Sequence, residues 1–174
     1  MAATRGGSMM EARIDNPALA LHGALQALQG LGKAVGQAGV APSTLQLVEL
    51  RASQINGCSI CADMHSRELR GLGEPDRRIF TVAAWREAPY FSDAERAALA
   101  LAEAGTRIAD RPDPVPDEVW DEAARHYDER QLAGLVLAIA AINAFNRINA
   151  ITRQITGDWV DQVIEHPQPA EQAA

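Results

Sequence analysis

The sequence predicts an all-α protein, folded as a single-domain helical bundle of about six or seven helices. Its 174 residues have the length of one ordinary domain and are enough to bury a core. A hydrophobic fraction of 47% beside 22% charged residues is typical of a globular protein. Alanine and leucine are abundant, aromatic residues make up only 5%, and β-branched runs are few, which favours helix.

Both ends of the chain are expected to lie outside this domain. Residues 1–13 carry no fold signal and are expected to form a flexible leader. The domain is expected to span residues 14–160. The remaining residues, 161–174, are rich in Pro and Gln and are expected to form a loose tail.

The first two helices follow from capping residues and leucine spacing. Asn16 can cap a helix that has Pro17 at its first position. Leucines at three- and four-residue steps then extend this helix to about Gln37. After a break that contains Gly and Pro, a second helix is expected to begin at Ser43 or Thr44.

Three further helices are marked by turn and capping signals. Asn56-Gly57 is a strong turn signal, and the third helix is expected to follow it and run to about Leu72. Pro75 begins a fourth helix. The residues at 92–95 form a capping-box pattern for a fifth helix, which is expected to continue through about Ala104.

The last third of the chain is expected to hold a loop and two helices. The three prolines within 110–116 require a loop, and Asp117 is expected to cap a short helix that ends near Tyr127. Asp128 opens the longest helix, which is predicted to continue to roughly residue 154. Its first half, 132–142, is apolar on nearly every side and is therefore expected at the centre of the bundle.

Charge and hydropathy exclude several classes of partner. The formal net charge of −7 argues against a nucleic-acid partner, because binding to phosphates needs clustered Lys and Arg. No run of about 18 apolar residues predicts a membrane span, and the N-terminus lacks the apolar core of a signal peptide. The expectation is a cytoplasmic protein with no membrane partner.

The unusual chemistry of the chain is concentrated in one stretch. Cys58 and Cys61, the two cysteines of the protein, stand three residues apart, and His65 follows four residues later. In a helix these three side chains share one face, with the imidazole one turn from a thiol. A turn at Asn56-Gly57 would place Cys58 in the first helical turn, where the helix dipole favours a thiolate. Glu49, on the preceding helix, could approach His65 or Cys61 if the two helices form a hairpin.

A Cys-x-x-Cys pair has three uses, which spacing alone leaves open. It can cycle between dithiol and disulfide, supply two zinc ligands, or pack inertly. For zinc, His65 and Glu49 could supply the other ligands, but a set compressed within two helical turns points poorly at a tetrahedral centre. We therefore predict redox or thiol-nucleophile chemistry, with no metal and no cofactor.

Four stretches together closely resemble one known family, the AhpD-like, carboxymuconolactone decarboxylase family. They are residues 47–65, 83–87, 91–99 and 137–147, and the likeness extends over most of residues 14–155. The core motif is a glutamate followed by Asn-Gly-Cys-x-x-Cys-x-x-x-His. This motif is specific as a family marker and much less specific as to substrate.

The resemblance implies an all-helical fold that assembles into trimers or hexamers, with thiol peroxidase or disulfide reductase activity. By the family pattern, Cys61 attacks the peroxide oxygen and becomes a sulfenic acid, and Cys58 then condenses with it to a disulfide. His65 accepts the Cys61 proton, and Glu49 orients His65. A dithiol donor, a lipoyl group or a thioredoxin-like protein in relatives, restores the reduced pair.

Two positions depart from the family pattern. The best-characterised peroxidases of the family carry a histidine immediately before the second cysteine, where this chain has Ile60. They also place the relay glutamate about one helical turn further upstream, where this chain has Gln46. Both departures bear on the rate of peroxide turnover or the identity of the oxidant. The decarboxylase branch lacks the cysteine pair, which disfavours lactone decarboxylation here.

Other polar residues are expected to serve structure. Asn143, Asn146 and Arg147 interrupt an apolar helix and indicate hydrogen bonds in the core or across a subunit interface, with a direct role in the site left open. His22 and His126 are interpreted as surface or packing residues, and His166 belongs to the predicted tail. The three tryptophans are expected to be core or interface anchors: Trp85, Trp120 and Trp159.

The predicted function is that of a cysteine-based alkyl hydroperoxide reductase or disulfide oxidoreductase. Such an enzyme acts on peroxide or another small oxidant. This hypothesis predicts that Cys61 is partly exposed and that its pKa is lowered. One alternative is a non-catalytic oligomeric protein in which the cysteine pair is a redox switch. The other is an acid/base enzyme of the carboxymuconolactone decarboxylase type, using Glu49 and His65 on a small carbonyl compound.

Overall fold

The computed structural model describes residues 11–109 and 112–157, and over these residues it confirms the predicted all-α class without any strand. It contains eight α-helices and one 3-10 turn, Val82–Ala84. The α-helices are α1 (Pro17–Ala20), α2 (Ala24–Gly36), α3 (Pro42–Asn56), α4 (Ser59–Gly71), α5 (Asp76–Thr81), α6 (Asp93–Thr106), α7 (Asp117–His126) and α8 (Glu129–Thr152).

The predicted first helix is divided in two. Asn16 caps α1 as expected, its side chain accepting a hydrogen bond from the Ala18 N–H. However, α1 ends after one turn at an extended Leu21, and Gly23, with φ of +78°, begins α2. A left-handed conformation is easily adopted by glycine, and it ends the helix that the leucine spacing would otherwise continue. This division raises the seven helices described from the sequence to the eight α-helices observed in the described residues.

Besides Asn16 at α1, the capping predictions are confirmed at two of the three other helices. Ser92 and Asp128 each form a complete capping box, at the starts of α6 and α8. Asp117 does not cap α7: it is the first helical residue, and Pro116 occupies the capping position without a side-chain hydrogen bond. Its carboxylate instead lies in the first turn of α7, where the helix dipole favours negative charge.

Helix α3 lies at the centre of the bundle and packs against α4, α6 and α8. Its Leu47, Val48 and Ala52 are fully buried and belong to three different apolar clusters.

The prediction that residues 132–142 lie at the centre of the bundle is only half right. One face of α8 is buried, whereas Val136 and Leu137 are 43% and 38% exposed.

The length and apolar composition of α8 would also suit a membrane span. Half of its most apolar window is buried against other helices, which is typical of the core helix of a globular protein. Its buried face carries three asparagines at three-residue steps, Asn143, Asn146 and Asn149. That face contacts both α3 and α4, which brings these amides to the cysteine-bearing end of the α3–α4 hairpin.

A buried carboxylate fastens α3 to α6. Glu103 accepts hydrogen bonds from Arg51 of α3, at 2.6 Å, and from the indole of Trp85, at 3.1 Å. Burial alone would raise the pKa of Glu103, but hydrogen bonds from Arg86, Arg51 and Trp85 outweigh it and lower the pKa to about 2. The charged network holds the central helix in register with its neighbour.

Candidate functional site

A tight turn between α3 and α4 places the two cysteines. Gly57 adopts φ of +69°, and the Cys58 N–H then donates to the Ser53 carbonyl at 3.0 Å. Cys58 is the N-cap of α4 rather than part of its first turn as predicted, and its sulfur accepts the Cys61 N–H at 3.3 Å. The two cysteines form a disulfide with a Cα–Cα distance of 5.4 Å.

The sulfur pair is buried. Cys58 and Cys61 are 3% and 2% exposed, so the expectation of a partly exposed Cys61 is wrong. Ile60, between them, is also buried, and Ile142 of α8 packs in the same apolar cluster. The burial arises because α8 lies across the start of α4, an arrangement that the pattern of the motif alone does not reveal.

His65 lies one turn after Cys61 on the same helix and is 5% exposed. Its Nδ1 is 2.7 Å from Oε1 of Gln46 on α3. Because an amide oxygen can only accept, this contact places the proton of the neutral ring on Nδ1. The Nε2 atom then carries a free lone pair, and it is buried with no hydrogen-bond partner among the described residues.

The Glu49 carboxylate stands beside the same ring nitrogen. Its Oε2 is 3.5 Å from His65 Nδ1, longer than a normal hydrogen bond. Burial raises the pKa of Glu49 to about 8, with a smaller contribution from the charge of Glu68. Burial lowers the pKa of His65 to about 4. At neutral pH the pair is therefore a carboxylic acid beside a neutral imidazole.

The structure thus brings together Cys58, Cys61, His65 and Glu49, which the sequence predicted as site residues. It adds Gln46, which in the sequence is only a departure from the family pattern. The hairpin of α3 and α4 explains the addition, since both Gln46 and Glu49 face His65 from the neighbouring helix.

Sequence analysis missed Asn149, which completes the site from α8. Its amide nitrogen lies 3.3 Å from the Cys61 sulfur and 3.7 Å from the Cys58 sulfur. The available signal was the three-residue spacing of asparagines along an otherwise apolar helix, which continues from Asn143 and Asn146 to this residue.

The first two of these asparagines have structural partners. Asn56 donates to both side-chain oxygens, at 3.0 Å for Asn143 and 2.9 Å for Asn146. Asn143 donates to Thr106, and Asn146 donates to Ser53. These contacts confirm the predicted hydrogen bonds in the core, and they join α8 to the end of α3 just before the cysteine turn.

A surface cavity of about 440 Å³ lies beside Ile60, the buried residue between the two cysteines. Ile60 lines it from the cysteine turn, and Asn16, which donates to Asn149 at 3.3 Å, lines it from the start of α1. The remaining walls come from both ends of the described chain: Ala12, Ile14, Asp15, Leu19, Ala20, Gln154 and Ile155. The N-terminal segment is held there by two bonds between Arg13 and the end of α8. The cavity therefore reaches the residue between the two cysteines, although neither cysteine lines it.

Outside the motif, the described residues show no metal site, and the described histidines and tryptophans have surface or structural positions. No group of three His, Cys, Asp or Glu side chains in the described part of the chain is arranged to hold a metal ion. His22 is exposed, and His126 contacts Glu122 at 3.1 Å. Trp85 is buried and Trp120 is 41% exposed, while Trp159 and His166 lie outside the described residues.

Comparison with known proteins identifies relatives over most of the chain. A family model described as the carboxymuconolactone decarboxylase family matches residues 23–104. The uncharacterized protein YdfG of Bacillus subtilis is 38% identical over 140 residues, which cover 80% of this chain and 93% of that protein. The alkyl hydroperoxide reductase AhpD of Bradyrhizobium diazoefficiens is 45% identical over a shorter stretch of 47 residues, about a quarter of each chain.

A solved structure shares the fold. It is a protein of unknown function from Agrobacterium tumefaciens, described as a candidate antioxidant-defence protein AhpD. The two chains are 34% identical with a TM-score of 0.78, over 84% of this chain and 99% of the other. The shared fold therefore extends over nearly the whole chain of that relative.

Proposed function

This chain belongs to the AhpD-like, carboxymuconolactone decarboxylase family, and from that membership and the site geometry we propose that it is a cysteine-based peroxide reductase. The observation that carries the proposal is the state of His65. Its Nδ1 is occupied by Gln46, which leaves a buried, unpartnered Nε2 as a base one turn from Cys61. A neutral imidazole beside a thiol is the arrangement that activates a sulfur nucleophile.

In the first step the reduced Cys61 transfers its proton to Nε2 of His65. The thiolate attacks the outer oxygen of the peroxide; a sulfur–oxygen bond forms and the oxygen–oxygen bond breaks. The departing alkoxide takes the proton from the imidazolium and leaves as an alcohol. Cys61 becomes a sulfenic acid, the first oxidised form of a thiol.

In the second step Cys58 closes the disulfide. Its thiol sulfur attacks the Cys61 sulfenic acid, the sulfur–sulfur bond forms, and water leaves. The two thiols have supplied two electrons, and the peroxide has become an alcohol and water. The N-cap position suits Cys58 to this step, since its sulfur already lies within disulfide distance and accepts the Cys61 N–H.

Glu49 assists the base. While His65 is neutral, the protonated carboxyl adds no charge next to the ring. Once His65 takes the thiol proton, transfer of the Glu49 proton to solvent would leave a carboxylate 3.5 Å from an imidazolium, which stabilises it. Gln46 keeps the ring in the productive tautomer throughout.

A dithiol then restores the reduced pair by thiol–disulfide exchange. A lipoyl group or a thioredoxin-like protein supplies the chemistry, because each carries two thiols that end as a disulfide. The cavity beside Ile60 is the route by which we expect both peroxide and dithiol to approach, since the sulfurs themselves are buried.

We also propose that the chain forms a homo-oligomer, a trimer or a hexamer, through the outer face of α8. The exposed apolar side chains Val136, Leu137 and Ile151 lie along this helix, at 43%, 38% and 65% exposure. Exposed apolar surface of this kind marks contact sites between proteins.

Peroxide treatment of the reduced protein tests the reaction. We expect one equivalent to consume both thiols and to produce the Cys58–Cys61 disulfide, detected as the loss of two hydrogens by mass spectrometry. Cys58→Ser should stop at a Cys61 sulfenic acid that a dimedone probe labels. Thiols that stay titratable after oxidant would refute the proposal.

The acid/base alternative keeps one supporting observation. Glu49 and His65 are both neutral at pH 7, and a carboxylic acid beside a neutral imidazole can serve as acid and base on a carbonyl compound. That activity would survive Cys58→Ser and Cys61→Ser, whereas peroxide reduction would not.

A further inference from the structure

The amide of Asn149 faces the disulfide from α8 and belongs to neither the motif nor the His65 relay. Its NH₂ group is directed at sulfur, with the shorter contact, 3.3 Å, to Cys61. Asn149 is 8% exposed. The hydrogen bonds of this NH₂ group within the described chain go to the two sulfurs and to no oxygen.

The orientation of this amide follows from a short series of hydrogen bonds. Asn16 accepts the Ala18 N–H through its side-chain oxygen, at 3.0 Å, because it caps α1. Its NH₂ group must therefore point the other way, and it donates to Oδ1 of Asn149 at 3.3 Å. With its oxygen engaged, Asn149 can only turn its NH₂ group towards the sulfurs.

A donor placed on sulfur has little value while the sulfur is neutral, because thiols and disulfides are weak acceptors. Burial of an amide without a good acceptor is costly. The arrangement becomes favourable when a sulfur carries negative charge, since hydrogen bonds to ionised groups are about twice as strong. The contact therefore fits the thiolate stage of a reaction better than the disulfide stage.

The two sulfurs have different donors. The Cys58 sulfur accepts the backbone N–H of Cys61, and Asn149 is more distant from it, at 3.7 Å. The Cys61 sulfur accepts from Asn149, with no backbone donor among the described hydrogen bonds. Loss of the Asn149 amide should consequently affect charge on Cys61 more than charge on Cys58.

We propose that Asn149 is a catalytic residue that stabilises the Cys61 thiolate, and that Asn16 is the positioning residue that orients its amide.

Cys61 is a thiolate at two stages of the reaction. The first stage rests on the proposed function, where Cys61 attacks peroxide. The second is reduction: a thiolate of the dithiol attacks the Cys58 sulfur, a mixed disulfide forms, and the Cys58–Cys61 bond breaks. The electron pair of that bond leaves on Cys61, where Asn149 receives it. The second thiol of the donor then releases Cys58.

Thiolate titration tests the proposal without any peroxide. In a Cys58→Ser background Cys61 is the only thiol, and the ultraviolet absorbance of its thiolate is followed against pH. We expect Asn149→Leu to move the midpoint upward by about one unit, a roughly tenfold loss of thiolate below the midpoint. Asn16→Ser should move it in the same direction by less, because serine still caps α1 but cannot donate to Asn149 in the same way.

A second buried asparagine on α8 provides the control. Asn143→Leu removes hydrogen bonds to Thr106 and Asn56 but no contact with sulfur. It should lower the melting temperature and leave the thiolate midpoint in place. A structural role for Asn149 would likewise lower only the melting temperature.

The remaining outcomes are decisive. If Asn149→Leu does not fold, Asn149→Ser and Asn16→Ser supply the measurement, and an unchanged midpoint in both overturns the proposal. A shifted midpoint in the Asn149 variant with an unchanged midpoint in Asn16→Ser supports the role of Asn149 and shows that Asn16 is not its positioning residue. A shifted midpoint in a protein whose Cys61 does not react with peroxide supports this inference while the proposed function fails.

Discussion

His65 and Gln46 are joined by a 2.7 Å contact between Nδ1 of the imidazole and Oε1 of the amide. The contact connects α4 to α3 and determines which ring nitrogen carries the proton. Glu49, one turn further along α3, lies at 3.5 Å from the same nitrogen and is the more distant partner. A neutral amide, and not a carboxylate, is therefore the group that orients the base.

Replacing Gln46 should slow oxidation of Cys61. Gln46→Leu removes the acceptor for Nδ1–H at similar volume, so the ring loses its fixed tautomer. We expect the rate of peroxide-driven disulfide formation to fall about tenfold, the equivalent of one buried hydrogen bond of roughly 1.4 kcal/mol. Gln46→Glu retains an acceptor for Nδ1–H and should not lose the rate as Gln46→Leu does. Equal rates for wild type and Gln46→Leu, measured by stopped-flow fluorescence, would contradict this role.

The raised pKa of Glu49 predicts a pH-dependent stability difference. The folded protein retains this proton up to a pKa of about 8, whereas the unfolded chain releases it near 4.5. Between these values the unfolded state binds fewer protons, so the contribution of Glu49 destabilises the fold progressively as pH rises. Glu49→Gln should therefore match wild type near pH ~5 and exceed it at pH ~9, by an amount on the order of 3 kcal/mol.

Thermal unfolding at the two pH values checks the prediction. The matched control is Glu118→Gln, which replaces an exposed glutamate on α7 and should produce no such pH-dependent gain. If Glu49→Gln changes the melting temperature equally at both pH values, the carboxyl is not held protonated by burial.

Gly134 should not tolerate a side chain. A Cβ added there would collide with the Cβ of Ala38, where the segment after α2 crosses α8. Gly134→Ala should destabilise the protein by about 1–3 kcal/mol, the usual cost of overpacking. Gly32→Ala is the control: it lies in α2 with open space around the new methyl group and should stabilise by about 0.5–1 kcal/mol. Denaturant unfolding of both variants decides, and a neutral Gly134→Ala would contradict the close approach.

The outer face of α8 predicts the assembly. Leu137→Glu places a charge on the exposed apolar face, so an oligomer that buries this face should dissociate, since an unpaired buried charge is costly. Sizing by light scattering should report a smaller particle with unchanged helical content. The control is Glu129→Lys, on the exposed first turn of α8, which changes charge without touching the exposed apolar face. Val119→Glu would not serve as a control, because Val119 packs against the core. An unchanged particle size in Leu137→Glu would show that this face is not part of an interface.

The sequence predicted what depends on local patterns. The capping boxes at Ser92 and Asp128, the turn at Gly57 and the shared face of Cys61 and His65 all follow from spacings of a few residues. The division of the first helix at Gly23 was missed, because leucine periodicity continues through it while a single left-handed backbone conformation does not.

What depends on packing between distant segments could not be predicted. The burial of Cys61 and the approach of Asn149 both depend on where α8 crosses the start of α4, some 88 residues further along the chain. The three-residue spacing of Gln46 and Glu49 likewise places them on one face of a helix. It does not show which of the two lies closer to His65, because that depends on the register of the α3–α4 hairpin.

Steady consumption of peroxide in the presence of a dithiol donor tests the central claim most directly. The measurement follows peroxide by stopped flow for wild type, Cys61→Ser and His65→Ala, with dihydrolipoamide as the donor. Wild type should turn over repeatedly, Cys61→Ser should consume none, and His65→Ala should be slowed by about a hundredfold, as expected for loss of a general base. Consumption by wild type that stops at one equivalent, or that persists in Cys61→Ser, would contradict a peroxide reductase built on this pair.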